Sequence, residues 1–260
     1  LQQRFFYMNV SDLLNILNEL LHPEYFSDYG PNGLQVGNTQ TAIRKVAVAL
    51  AVTADLATIE KAIACEANVL LVHHGIFWKG MPYPITGILY QRMQRLMEGN
   101  IQLIAYHLPL DAHTTIGNNW KVARDLGWEQ LESFGSSQPS LGVKGVFPEM
   151  EVHDFISQLS AYYQTPVLAK ALGGKKRVSS AALISGGAYR EISEAKNQQV
   201  DCFITGNFDE PAWSLAHELA IHFLAFGHTA TEKVGPKALA QYLKGAGLES
   251  VVFLDTDNPF

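Results

Sequence analysis

The residues best able to do chemistry come in three short clusters, each closing an apolar run. They are His73 and His74 in VLLVHHGIFW, His107 and Asp111 in AYHLPLDAH, and His228 and Glu232 in FGHTATEKVG. Ring nitrogens at the end of a buried strand must find partners or stay wet, and neutral imidazole is the commonest protein ligand for transition metals. Five of the nine histidines, His73, His74, His107, His113 and His228, fall in these clusters. His22, His153, His217 and His222 sit inside helical or strand patterns and read as ordinary surface or half-buried residues. The nitrogen-and-oxygen donor set suits Zn, Mn, Fe, Co or Ni, and no thiolate is in reach, which argues against a sulfur-rich structural zinc. Because side chains alternate across a strand, His73 and His74 are expected to serve two divalent metal ions, one each, with a carboxylate between them. Metals about 3.5–4 Å apart activate water and stabilise both oxygens of a hydrolytic transition state. Glu232 is the candidate bridge, since a His and a Glu four residues apart share a face if the segment is helical. Asp111 is then a terminal ligand. His107 is a ligand, a partner behind a ligand, or a proton shuttle.

Those clusters need strands to carry them. KVAVALAV (45–52) and NVLLV, ending at Val72, are apolar on both faces and flank a helix from about Asp55 to Glu66, which makes a β-α-β unit of a parallel sheet covered by helices. His73 and His74 then fall just past a strand's carboxyl end, where open α/β sheets place their ligands. IQLIAY ends at His107 in the same way. Helices are expected over Val10–Leu21 with Ser11 as N-cap, over about Ile85–Gly99 with an apolar stripe through Ile88, Leu89, Met93, Leu96 and Met97, and from Val152, where Phe155, Ile156 and Leu159 follow at helical spacing. Asn118 is a candidate cap. SDYGPNGLQVGN reads as turn chemistry, and SGGA at 185–188 as a tight β-α turn, with backbone contact to a substrate phosphate as the other reading.

The last third repeats the pattern of the first. RVSSAALISGGAYREISEAKNQQVDCFITGN can be laid against KVAVALAVTADLATIEKAIACEANVLLVHHG with strand, helix and strand in step. The fold class is therefore α/β, with two related α/β domains of mostly parallel or mixed sheets, helices on their faces and the metal site at their junction. The low-hydrophobicity stretch SFGSSQPS (133–140) places the boundary, giving domains 1–132 and 133–260, with C-terminal elements free to pack back on the first. Residues 1–7 carry no argument.

At 260 residues and 47% hydrophobic content the chain is globular. Its net charge of −6 is spread without long runs of one sign, which argues against a dedicated nucleic-acid binder. No run reaches the roughly 18 apolar residues of a membrane span, and no basic-then-apolar leader is seen, so a cytoplasmic location is expected. Cys65 and Cys202 both sit in apolar segments and read as reduced core residues.

Taken in order, SDYGPNGLQVG, VHHGIFWKG, AYHLPLDAH with GNN after it, CFITGN and GHTATEKVGPKAL closely resemble the Nif-three-like dinuclear metal-centre proteins, also called GTP cyclohydrolase I type 2 homologues, in a short bacterial form. The resemblance runs from about Val10 to the end. It implies metal ligation by His73, His74, Asp111, His228 and Glu232, with Glu232 bridging, in two α/β domains assembled as a ring-shaped homohexamer. Thr229 stands where some relatives have a second histidine. The function expected is a metal-dependent hydrolase acting on a nucleotide-like or phosphate-bearing small molecule. The alternatives are a metal carrier or inserter, and a ring-shaped scaffold without turnover.

Overall fold

The computed structural model describes residues 8–43, 47–248 and 250–260; residues 1–7 and the start of the KVAVALAV run lie outside them. Strand β1 (Met8–Asn9) leads into helix α1 (Val10–Leu21). Its cap is Asn9 rather than Ser11, because Asn9 and Asp12 exchange side-chain-to-backbone hydrogen bonds in a capping box. Strands β2 (Gly33–Val36), β3 (Ala42–Ile43) and β4 (Ala47–Thr53) follow, then α2 (Leu56–Ala64), capped by Asp55. Next come β5 (Val69–His74), α3 (Gly87–Glu98), β6 (Gln102–Ala105) and the short α4 (Leu108–Ala112). The strand expected to stop at Val72 runs on through both histidines.

Beyond these lie α5 (Trp120–Asp125), β7 (Glu129–Phe134), β8 (Gly142–Glu151), α6 (Val152–Tyr163), β9 (Ala169–Leu172), β10 (Arg177–Ile184), α7 (Ile192–Asn197), β11 (Cys202–Thr205), α8 (Pro211–Glu218) and β12 (His222–Ala225). The chain closes with α9 (His228–Glu232), α10 (Val234–Gly245) and β13 (Ser250–Phe253).

Two compact units result. Among the described residues, one comprises 8–110 and 236–257, the other 111–235 and 258–260. The division thus falls at 110/111, 235/236 and 257/258. The polar stretch at 133–140 instead joins β7 and β8, an antiparallel hairpin inside the second unit, so its composition is that of a hairpin turn.

The first unit holds a five-stranded sheet in the order β13-β4-β5-β6-β2, parallel except for β2. Residues of β4, β5 and β6 alternate into a core with Ile59, Leu96 and Ile101. On α3 only Leu96 is buried. Leu89 and Met93 pack against the core from partly buried positions, while Met97 is 63% and Ile88 53% exposed, so the apolar stripe is split between a packed row and an outer one.

The second unit holds a six-stranded sheet, β7-β8-β10-β11-β12-β9, in which β10, β11 and β12 run parallel. Both faces are covered. Cys202 and Ile204 pack with Phe155 and Leu159, while Phe203 packs with Phe134 and Phe223, the two-residue alternation of a strand buried on both sides. The internal repeat is visible as three consecutive parallel strands, β4, β5 and β6 in the first sheet and β10, β11 and β12 in the second, each followed by an antiparallel neighbour beside the third strand (β2 and β9); the parallel edge strand β13 has no counterpart. Cys202 is buried as expected, but Cys65 is exposed at the end of α2.

His222 also departs from its surface reading. It is 2% exposed, and a Cβ on Gly174 would lie 2.8 Å from its ring. Nε2–H donates to the Lys175 carbonyl at 2.6 Å, and Nδ1 has no partner among the described residues. Burial pushes the imidazole below its ordinary pKa, helped by His153 and opposed by the Lys175 bond and Asp201. The folded state therefore favours neutral His222, and that stability is present above about pH 6.5 and lost as pH falls below it. Thermal unfolding followed from pH 7 down to 5 should show a falling midpoint in the wild type and a flatter one in His222→Gln; equal slopes would remove His222 as the cause.

Candidate functional site

In the first unit, His73, His74 and His107 each place a ring nitrogen within 4.8 Å of the others'. Their ring centroids are 4.7 to 5.6 Å apart. Crowding of this kind is useful only if each tautomer is fixed. Nδ1 of fully buried His73 lies 3.2 Å from the Tyr106 carbonyl, to which it donates. Nδ1 of His74 lies 3.1 Å from Thr53 Oγ1, its register partner on β4. Both arrangements engage Nδ1, so that Nε2 is the ring atom that could be offered to a metal. The glycine of HHG has a local reason: a Cβ on Gly75 would lie 2.2 Å from Gln35 Oε1, which accepts from the Ile76 N–H at 2.8 Å.

His107 is held by the loop read from sequence as plain turns. Its Nδ1 lies 2.7 Å from Asp28 Oδ1, and its backbone N–H donates to Asn32 Oδ1 at 2.9 Å. Asp28 also accepts from Asn32 Nδ2 and from the backbone N–H groups of Tyr29 and Leu108. Burial alone would raise the Asp28 carboxyl, but the hydrogen bond and charge of His107, with the Asn32 and Leu108 donors, hold it below the ordinary carboxylate range. Trp78 meets His107 edge-on at 5.2 Å and 86°.

In the second unit, carboxylate oxygens of Asp111 and Glu232 lie within 4.8 Å of one another; the two residues are 6% and 3% exposed. The segment HTATE is helical, and His228 Nε2 sits 3.1 Å from Glu232 Oε2 one turn on. Glu232 therefore lies within reach of both companions, as a bridging carboxylate would. Asp111 Oδ1 accepts from Asn118 Nδ2 at 2.8 Å and Ser185 Oγ at 3.0 Å. Asn118, expected as a cap, instead ties Asp111 to the Gly235 N–H. Asn119 is the residue before α5, and its side chain makes no cap bond there; it accepts from Ser185 N–H and donates to Leu141 O. His113 Nδ1 receives the Thr115 and Ile116 N–H groups in a local turn.

The SGGA turn is fitted around Glu232. Gly186 has φ +65°, and a Cβ there would lie 2.2 Å from Glu232 Oε1. Its carbonyl accepts from Gly206 N–H, Asn207 N–H and Thr205 Oγ1, the residues of the FITGN block, and its N–H donates to Thr231 Oγ1. Two buried carboxylates this close repel each other unless a cation or a proton compensates. The first unit offers three imidazole nitrogens and the second an imidazole nitrogen with carboxylate oxygens, donors that fit a divalent transition metal. The sequence offers Asn118 as a cap, Ser185 as part of a turn and Asp28 with Asn32 as turn residues of a Gly/Pro loop, and gives none of the four as a support for a histidine or carboxylate of the site.

A family model described as Duf34/NIF3 (NGG1p interacting factor 3) matches residues 8–259, and the chain belongs to this family. It is 98% identical to a protein named GTP cyclohydrolase 1 type 2 homolog from Chlamydia trachomatis serovar D, over 97% of this chain and 100% of that one. A protein of the same name from Pasteurella multocida is 37% identical over the same shares. Among solved structures, the protein ybgI matches with a TM-score of 0.90 at 34% identity, and TTHA1606 from Thermus thermophilus with 0.87 at 32%, each over 97% of this chain and 100% of the other. No helix among the described residues is long and apolar enough to cross a membrane.

Two substitutions test the supports. Asp28→Asn leaves too few acceptors for four donors and should lower stability in chemical denaturation by about 2 kcal/mol; an unchanged midpoint would mean that water replaces the carboxylate. Gly186→Ala places a methyl against Glu232 and a side chain at a left-handed φ, so a lower unfolding temperature and weaker metal uptake by elemental analysis are expected. Full retention of both would show that Glu232 is not held by this turn.

Proposed function

We propose that His73, His74, Asp111, His228 and Glu232 hold two divalent metal ions, with Glu232 shared between them, and that the protein is a metal-dependent hydrolase of a nucleotide-like or phosphate-bearing small molecule, acting in the cytoplasm. The observation that carries this is the position of buried Glu232, within ligand distance of Asp111 and His228 and backed by a glycine that leaves it room. When bound, such ions supply Lewis acidity and charge stabilisation for hydrolysis. The chain's own groups do the rest. Tyr106 O and Thr53 Oγ1 keep Nε2 of His73 and His74 in the ligating tautomer, and Asn118 and Ser185 orient the Asp111 carboxylate. His107, with Nδ1 committed to Asp28, presents Nε2 as the atom that accepts or returns a proton. The name of the 98% identical relative, GTP cyclohydrolase 1 type 2 homolog, supports a nucleotide as substrate.

Elemental analysis of the purified full chain should find two divalent ions per chain, and Glu232→Gln should reduce that number. One ion or none in the wild type overturns the dinuclear reading. Metal-loaded wild type should turn over GTP or another member of a nucleotide panel, and Glu232→Gln should lower the rate by about a hundredfold or more. No turnover above the variant, with two ions bound, overturns the hydrolase and leaves a metal-binding protein.

A further inference from the structure

The SGGA turn contains a second glycine that the support of Glu232 does not explain. Gly186 is required twice over, by its φ and by the Glu232 carboxylate. Gly187 is required by neither. Its φ lies outside the left-handed region, and an added Cβ would sit at ordinary contact distance, 3.6 Å from Asn207 Nδ2 and 3.9 Å from His228 Cε1. Gly187 and Asn207 are both exposed. Among the described residues, neither the Gly187 N–H nor the Asn207 side-chain amide has an internal hydrogen-bond partner. By contrast, their neighbours are fully engaged: Gly186 N–H with Thr231, Ala188 N–H with Thr205, and Asn207 N–H with Gly186 O. Two uncommitted donors thus flank an open spot against the edge of the His228 ring, and the missing side chain at Gly187 keeps that spot open.

We infer that Gly187 and Asn207 form a subsite for an anionic oxygen group of the substrate, a phosphoryl or carboxylate, seated beside His228. Backbone N–H groups left bare by glycine, together with a side-chain amide, are the usual means of fixing such a group without a fixed cation. Glu232 lies against the same turn at Gly186, and bound metal beside it would supply positive charge to offset that carboxylate. In that respect the inference rests on the proposed metal centre.

The test uses the full chain loaded with metal, as wild type, Gly187→Ala and Asn207→Ala, with metal content measured first and inorganic phosphate then titrated by calorimetry. Phosphate should bind the wild type and bind each variant about tenfold more weakly, with metal content and unfolding temperature unchanged. A parallel acetate titration identifies the group: weakening for both anions points to any anionic oxygen, for phosphate alone to a phosphoryl. Equal phosphate affinity in all three proteins at full metal content, or no binding of either anion to the wild type, overturns the subsite and leaves the metal centre standing. A wild type that takes up no metal overturns the centre and the subsite with it. Should Gly187→Ala fail to fold, Asn207→Ala gives the same readout, since its side chain makes no internal bond to lose.

Discussion

Everything at the first unit's site depends on how one nitrogen of each imidazole is spent. Three rings with nitrogens within 4.8 Å of one another are a ligand array only if each directs a lone pair outward, and a ring free to choose its tautomer or flip does not. The fold solves this with three different acceptors: a main-chain carbonyl after β6, a threonine in register on β4, and a carboxylate from the loop ahead of β2. Sheet pairing sets the first two, because β4, β5 and β6 are adjacent and parallel. The third comes from a loop whose own turns are tied to the start of α4 through Leu108.

The second unit answers a different problem, that of placing two carboxylates side by side in a buried setting. Hydrogen bonds to Asp111 Oδ1 from two side chains fix its plane, and backbone proximity fixes Glu232. The turns after β10 and β11 approach so closely that a Cβ on Gly206 would lie 2.7 Å from Thr231 Oγ1 and 2.8 Å from Gly186 O. Side chains are excluded there because two backbones and a helix share the space. The glycines are therefore packing residues as much as turn residues.

Sequence patterning revealed the parts of the structure governed by local rules. Apolar runs, the histidine and acidic residues that end them, and the four-residue spacing of His228 and Glu232 all survive in the fold, because a strand's length and a helix's pitch are set within a few residues. Asp28 was obscured because its partner His107 is 79 residues away, and a Gly/Pro/Asn/Asp loop looks alike whether or not it holds anything. Asn118 was taken for a cap because capping is the local use of Asn; its actual partners, Asp111 and Gly235, are set by tertiary approach. The apolar spacing of α3 likewise specified a face without marking its limits: Leu89, Met93 and Leu96 pack on the core, while Ile88 and Met97 stay exposed. The unit boundary fell at 110/111, inside a five-residue helix with no change of composition to mark it.

The placement of β13 has a consequence for how the molecule comes into being. It pairs in parallel with β4, Ser250 opposite Ala47, so the first unit's sheet is closed by a segment made some two hundred residues after its partner. Until residues 250–253 leave the ribosome, β4 is an edge strand of buried, apolar composition, the kind that invites pairing with the wrong chain. The second unit's sheet, β7 to β12, is encoded without interruption and can be complete first. Synthesis from the N-terminus thus favours an order in which the half carrying Glu232 forms early and the half carrying the paired histidines is finished last. Closing that long loop carries an entropic cost that the local pairings of the second sheet do not.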